Sequence, residues 1–146
     1  MFSPDFREFV ALLNKHEVQY MIVGGYAVGI HGHPRYTGDL DIWLLPDSAN
    51  AIKILKVIKA FGFGSLDIKE VDLTKEDSII QLGYPPLRID LLTNIDGVHF
   101  NECYSNRKGI EIDGLLVNFI GYADLIKNKK ASGRHQDLGD IENLEK

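Results

Sequence analysis

What this chain lacks narrows the classes of protein it can belong to. Its single cysteine, Cys103, leaves no disulfide within the chain to hold the fold together. It has no run of eighteen apolar residues, so we expect no membrane-spanning helix. The first residues have neither a basic start nor a long apolar core, and we expect no secretory signal. These absences predict a protein of the reducing cytoplasm without a membrane partner.

Positive charge is also scarce. The 146 residues include 16 Lys and Arg against 21 Asp and Glu, which gives a net charge of −5. This balance argues against an extended DNA-binding surface, although a local basic patch would suffice for the end of a transfer RNA. The five histidines and the cysteine show no zinc-ligand spacing. The length and a 45% apolar composition predict one domain over residues 1–146.

The most informative stretch begins with a buried strand and a glycine turn. The apolar run over residues 18–23 predicts the strand, and Gly24 and Gly25 follow it directly. Glycine lets the backbone turn sharply and lets a ligand approach closely. A short helix is predicted over residues 27–30, with its first amides facing the turn. Such amides favour an anion, and phosphate is the usual one.

Two aspartates then alternate with apolar residues. In a predicted strand over residues 39–44, Asp39 and Asp41 point to the same face while the residues between them pack behind. Neighbouring carboxylates repel each other unless a cation lies between them. Oxygen ligands of this kind suit Mg²⁺, which shares its remaining positions with water and substrate phosphates. A structural turn at Asp39 is the alternative.

A third aspartate has a similar setting. Asp90 lies between apolar residues in a predicted strand, Leu87–Leu92, where an unpaired carboxylate is costly. Arg88 shares its strand face, two residues earlier. Metal binding and an ion pair with Arg88 are therefore the two alternatives for Asp90.

These residues resemble the signature of the nucleotidyltransferase superfamily, which includes DNA polymerase beta. In that signature a Gly-Gly or Gly-Ser turn follows a strand, Asp-x-Asp lies on the next strand, and a third carboxylate lies on a later one. The matching residues are Gly24, Gly25, Asp39, Asp41 and Asp90. The Arg-x-Thr-x-Asp-x-Asp form of residues 35–41 is similar to small bacterial nucleotidyltransferases and to abortive-infection-type toxins. The resemblance continues through Lys129, Gly133, Arg134, Asp137 and Asp140.

The resemblance implies transfer of a nucleoside monophosphate from a nucleoside triphosphate, such as ATP, to a hydroxyl acceptor. It implies Mg²⁺ or Mn²⁺ as the cofactor. The implied catalytic residues and metal ligands are Asp39, Asp41 and Asp90. The implied nucleotide contacts are Gly24, Gly25, Arg35, Thr37, Lys129 and Arg134.

Several alternatives stay open. The acceptor could be a small molecule, a protein or a transfer RNA end, and a second subunit could complete the site. A homodimer and an antitoxin are the candidate protein partners. The rival function is a catalytically silent nucleotide-binding or partner-binding module of a toxin–antitoxin-type pair. Arg35 could pair with a neighbouring acid. Lys129 and Arg134 could be solvated surface cations, and for Lys129 in particular we expect a small effect on stability.

Periodicity and turn residues predict the other elements, which together indicate an α+β fold with a small mixed β-sheet and helices packed on it. Ser3 is expected to cap an opening helix, and Asp47 or Ser48 to begin a second one with Ile52 facing inward. Strands are predicted at 68–73 and 78–82, a hairpin at 109–120 turning at Asp113-Gly114, and helices at 121–130, with Ala123 inward, and about 135–144.

Overall fold

The computed structural model describes residues 2–34, 36–84 and 86–146. In these residues the strands are β1 (Tyr20–Val23), β2 (Asp39–Leu44), β3 (Ile79–Tyr84), β4 (Leu87–Leu92), β5 (Lys108–Ile112) and β6 (Leu115–Phe119). The α-helices are α1 (Pro4–Lys15), α2 (Gly24–Ile30), α3 (Ser48–Ile58), α4 (Phe100–Tyr104), α5 (Tyr122–Ser132) and α6 (His135–Leu144). None of the helices in the described ranges has the length and apolar character needed to cross a membrane.

The strands form one mixed sheet in the order β3-β4-β2-β1-β6-β5. The pairs β2–β4 and β1–β6 are parallel, whereas the other three pairs are antiparallel. The predicted α+β fold with a small mixed sheet is therefore confirmed. The central strands β1, β2 and β4 carry the glycine turn and the three aspartates, so the candidate site lies at the middle of the sheet.

The opening helix forms as predicted. The Ser3 hydroxyl accepts a hydrogen bond from the Phe6 amide at 3.2 Å, and a proline follows the cap. Its apolar stripe is buried: Phe6, Phe9, Val10 and Leu13. The hairpin is also confirmed, because Asp113 and Gly114 both have positive φ, 50° and 81°, as a two-residue turn of this kind requires.

The predictions for residues 68–73 and for the inner face of α3 are wrong. Residues 68–73 do not form a strand: Glu70–Leu73 is a 3₁₀ helix, in which the Asp72 carboxylate accepts a hydrogen bond from the Lys69 amide at 2.8 Å. Helix α3 is rotated from the predicted face, since Ile52 is 47% exposed. A polar residue explains the rotation. Asn50 is buried, and its side chain donates to the carbonyls of Gln19 and Leu45 at 3.0 Å.

Candidate functional site

The glycine turn brings the start of α2 against the aspartate strand. Val23 pairs with Asp41 across β1 and β2, and the helix begins at Gly24 itself, three residues earlier than predicted. Gly24 has φ of 69°, which favours glycine. A Cβ atom at Gly24 would overlap the Asp41 carboxylate. Glycine is therefore required at this position both by the backbone and by the close approach of Asp41.

The three aspartates meet across two parallel strands. In the register of β2 and β4, Asp41 pairs with Asp90 and Asp39 pairs with Arg88. All three carboxylates line one open cavity of about 600 Å³. Asp90 is almost fully buried, with 7% of its surface exposed. The alternation read from the sequence thus brings the predicted metal ligands to a common face.

Arg88 joins two of these carboxylates. Its Nε and Nη2 atoms donate to the two oxygens of Asp90 at 2.7 and 3.0 Å, and Nη2 also donates to Asp39 Oδ2 at 3.1 Å. The hydrogen bond from Arg88 to Asp90 raises the pKa of the guanidinium, so it stays charged. The ion pair that was the alternative to metal binding at Asp90 is therefore present. Among the described residues, no three His, Cys, Asp or Glu side chains are grouped to hold a metal ion.

The charge on Asp41 is unfavourable in the folded protein. Burial is the main cause, followed by repulsion from Asp90 and Asp39, and together they raise its pKa from 3.8 to about 7. Lys129 and Arg88 act in the opposite direction but are weaker. A divalent cation would relieve this repulsion. The all-oxygen donor set fits Mg²⁺ or Mn²⁺, provided that Arg88 releases Asp39 and Asp90.

Lys129 is not a solvated surface cation, so that alternative is wrong. Its side chain is 5% exposed, and Nζ lies 3.0 Å from Asp137 Oδ1 and 3.1 Å from Asp140 Oδ2. Both acids are as deeply buried, at 1% and 5% exposure. Burial acts to raise the pKa of Asp137, but hydrogen bonds from Arg134 and Lys129 lower it overall. This buried ion cluster joins α5 to α6.

The local sequence explains how the cluster forms. Gly133, with φ of 63°, ends α5 in the left-handed conformation and lets α6 turn back along it. On α6, Asp137 and Asp140 are three residues apart and so share one face. The prediction of Ala123 on the inner face of α5 is wrong, because α5 buries Leu125 and Lys129 instead. The sequence analysis did not predict this cluster, although the spacing of the two acids is a signal for a shared cationic partner.

Arg134 is placed differently from Lys129. It donates to both oxygens of Asp137, at 2.7 and 3.2 Å, yet its side chain is 75% exposed. Thr37 donates from Oγ1 to the Asp39 carbonyl at 3.2 Å and so also has a structural role. Arg35 lies outside the described residues, and its predicted phosphate contact stays a prediction.

A second cavity adjoins the first. Its volume is about 340 Å³, and Gly25, Thr37 and Gln136 line it together with residues of the larger cavity, among them Lys129 and Arg134. Every predicted site residue that the structure describes lines one of these two cavities. The structure therefore brings together the glycine turn, the carboxylates and two cations, while their roles as ligands stay predictions.

Comparisons with solved structures identify the fold. No protein-family model and no curated protein sequence matches the chain. The lincosamide antibiotic adenylyltransferase LnuA, solved with lincomycin bound, matches with a TM-score of 0.61 at 13% identity, over 99% of this chain and 97% of its own. A candidate nucleotidyltransferase from Thermotoga maritima, TM1012, matches with a TM-score of 0.60 at 14% identity, and the match covers 99% of this chain and 91% of TM1012. The antibiotic-resistance factor ANT(2'')-Ia matches with a TM-score of 0.60 at 10% identity, and the match covers 96% of this chain and 80% of its own. The chain has the nucleotidyltransferase fold.

Proposed function

We propose that this chain is a metal-dependent nucleotidyltransferase that moves a nucleoside monophosphate from a nucleoside triphosphate to a hydroxyl acceptor. One observation carries the proposal: the glycine turn, three carboxylates and two cations line adjoining cavities on this fold. The three carboxylates lie on the sheet, whereas Lys129 and Arg134 lie on α5 and in the turn after it. A triphosphate and its metal need both.

The triphosphate would lie between the glycine turn and the two cations. Gly24 and Gly25 allow the phosphates to approach the backbone closely. Arg134, which is largely exposed, has guanidinium area free to contact a phosphate while it holds Asp137. Lys129 lines both cavities and is fixed in place by its two acids. This arrangement orients the leaving pyrophosphate and offsets its charge.

Asp39, Asp41 and Asp90 would hold Mg²⁺ or Mn²⁺. When bound, the metal neutralises phosphate charge and lowers the pKa of an acceptor hydroxyl. Asp90 lies opposite Asp41 in the register and is suited to take the proton of that hydroxyl. Arg88 positions both Asp39 and Asp90 and would have to release them for a metal to be held there. The lincomycin bound in one of the similar structures makes a small hydroxyl compound the first acceptor class to screen.

The Arg88 ion pairs favour one alternative. If Arg88 holds Asp39 and Asp90 permanently, no metal enters, and the chain is a catalytically silent module, such as one member of a toxin–antitoxin-type pair. The two functions differ in a simple way, because only the enzyme requires a divalent cation to bind a triphosphate.

We expect each nucleoside triphosphate that is a substrate to raise the melting temperature only when Mg²⁺ or Mn²⁺ is present. At a ligand concentration of 100 times Kd the stabilisation is about 2.7 kcal/mol. In a domain of this size that corresponds to a shift of several degrees. A thermal-shift screen of the four triphosphates, with metal or with chelator, measures it.

Metal without nucleotide and nucleotide without metal are the controls for that screen. Equal stabilisation in chelator would support the silent module and contradict the enzyme. The same conclusion would follow if none of the four triphosphates changed the melting temperature at millimolar concentration with metal present.

A further inference from the structure

A third cavity opens next to the phosphate side of the site. Its volume is about 370 Å³, within the range of small-molecule pockets. It shares Gly25, Tyr36 and Thr37 with the cavity that contains Lys129 and Arg134. Unlike that cavity, its walls are mainly apolar and aromatic. A ligand could therefore extend from the charged site into this cavity without leaving the protein surface.

Two tyrosines line this cavity, and they differ in how firmly their rings are held. The Tyr26 ring is fixed by edge-on contacts with Phe2 and Phe6, at centroid distances of 5.3 and 5.9 Å. The Tyr36 side chain, in contrast, is 81% exposed although it stands beside the candidate site. A large aromatic ring exposed at the edge of a cavity gains from a flat partner that covers it. One wall is rigid and the other is free to adjust to a ligand.

We infer that this cavity binds the base of the nucleoside triphosphate, with Tyr36 covering one face of the base. The inference rests on the proposed function, because the shared residues Gly25 and Thr37 connect the cavity to the phosphate turn. A base has two apolar faces and a polar edge. Its faces suit tyrosine rings together with Pro34 and Leu87, which also line the cavity.

The polar groups at the rim can meet the edge of a base. The Ser3 hydroxyl oxygen accepts a hydrogen bond from the Phe6 amide, so the hydroxyl hydrogen of Ser3 can donate to a base. Thr37 uses its hydroxyl hydrogen on the Asp39 carbonyl, which leaves its oxygen free to accept. These polar partners are few and adaptable. Stacking on the aromatic wall would therefore supply most of the affinity for the base, and all four bases would bind.

The test compares two ligands that differ by the nucleoside. ATP and inorganic tripolyphosphate are titrated by calorimetry, both with Mn²⁺, into the parent and into Tyr36→Ala. We expect Tyr36→Ala to weaken ATP binding roughly 5- to 150-fold, the range for losing one base–aromatic stack, and to leave tripolyphosphate binding unchanged. Tyr36→Phe should bind ATP as the parent does. Tyr84→Ala is the matched control, because that tyrosine is 87% exposed and does not line the cavity.

A second variant fills the cavity instead of opening it. Gly29 lines the cavity, and a Cβ atom built on it meets only Pro34 Cα, at 3.8 Å, an ordinary contact. Gly29→Leu should therefore fold, since leucine also favours helix, and should weaken ATP but not tripolyphosphate. Unchanged ATP affinity in both variants, or an equal loss for both ligands, would overturn the base cavity and leave the enzyme proposal standing. If the parent binds neither ligand, the proposed function fails and this inference fails with it.

Discussion

Replacing Asp41 with asparagine is expected to lower nucleotidyl transfer by several hundredfold or more without destabilising the metal-free protein. The loss of activity follows because a positioned metal supplies several kcal/mol of transition-state stabilisation. Stability is kept or increased because Asp41 is a partly buried carboxylate that is repelled by Asp90 and Asp39. Asparagine keeps the shape and removes the charge.

The stability difference should depend on pH in a defined direction. The folded-state pKa of Asp41, about 7, lies above its ordinary value of 3.8, so the folded protein holds an extra proton between these values. The parent therefore loses stability as the pH rises towards 7, and the full penalty applies above it. Asp41→Asn has no such proton. Its gain over the parent should be small near pH 4 and reach the order of 1–3 kcal/mol above pH 7.

Chemical denaturation of parent and variant, in chelator at pH 5 and pH 8, measures this. A clear loss of stability in Asp41→Asn at pH 8 would mean that Asp41 belongs to a structural network and not to an active site. Asp90→Asn is a poorer test, because that change also weakens the two hydrogen bonds from Arg88.

The second large effect is expected at Lys129. Replacing it with methionine, which preserves most of its length, should destabilise the protein by about 3–5 kcal/mol, because Asp137 and Asp140 would stay buried without the ammonium group that lies between them. This reverses the expectation from the sequence that removal of Lys129 would hardly change stability. Urea denaturation without ligand measures it.

Two comparisons make the Lys129 test specific. Lys130→Met changes the exposed neighbouring lysine and should have little effect. Combining Lys129→Met with Asp137→Asn and Asp140→Asn should recover much of the loss, because the uncompensated charges are gone. If Lys129→Met alone is as stable as the parent, the buried ion cluster does not hold α5 to α6.

The sequence predicted the structure best where a single local pattern determines the element. Strand β2 alternates between carboxylates and apolar residues, so the shared face of Asp39 and Asp41 followed from strand geometry. The opening helix followed equally from the Ser3 cap and its apolar stripe. These features depend on neighbours within a few residues, and no distant contact overrides them.

Predictions failed where a distant or polar partner residue determines how a helix is oriented or whether a side chain is buried. Helix α3 turns its Asn50 face inward because Gln19 and Leu45 accept its hydrogen bonds, and an apolar pattern carries no sign of this. Lys129 is buried because α6 folds back and brings two acids to it. Likewise, the sequence left a metal and Arg88 as alternatives for Asp90, since both satisfy a carboxylate on that strand face.

Binding of Mn²⁺ to the metal-free chain, followed by electron paramagnetic resonance with a non-hydrolysable ATP analogue present, tests the central claim most directly. If the three carboxylates form the catalytic metal site, the parent with the analogue binds more Mn²⁺ than the analogue binds by itself, and Asp41→Asn loses that excess. An Mn²⁺ titration that shows no excess for the parent, or the same excess for parent and Asp41→Asn, would contradict a metal-dependent nucleotidyltransferase at this site.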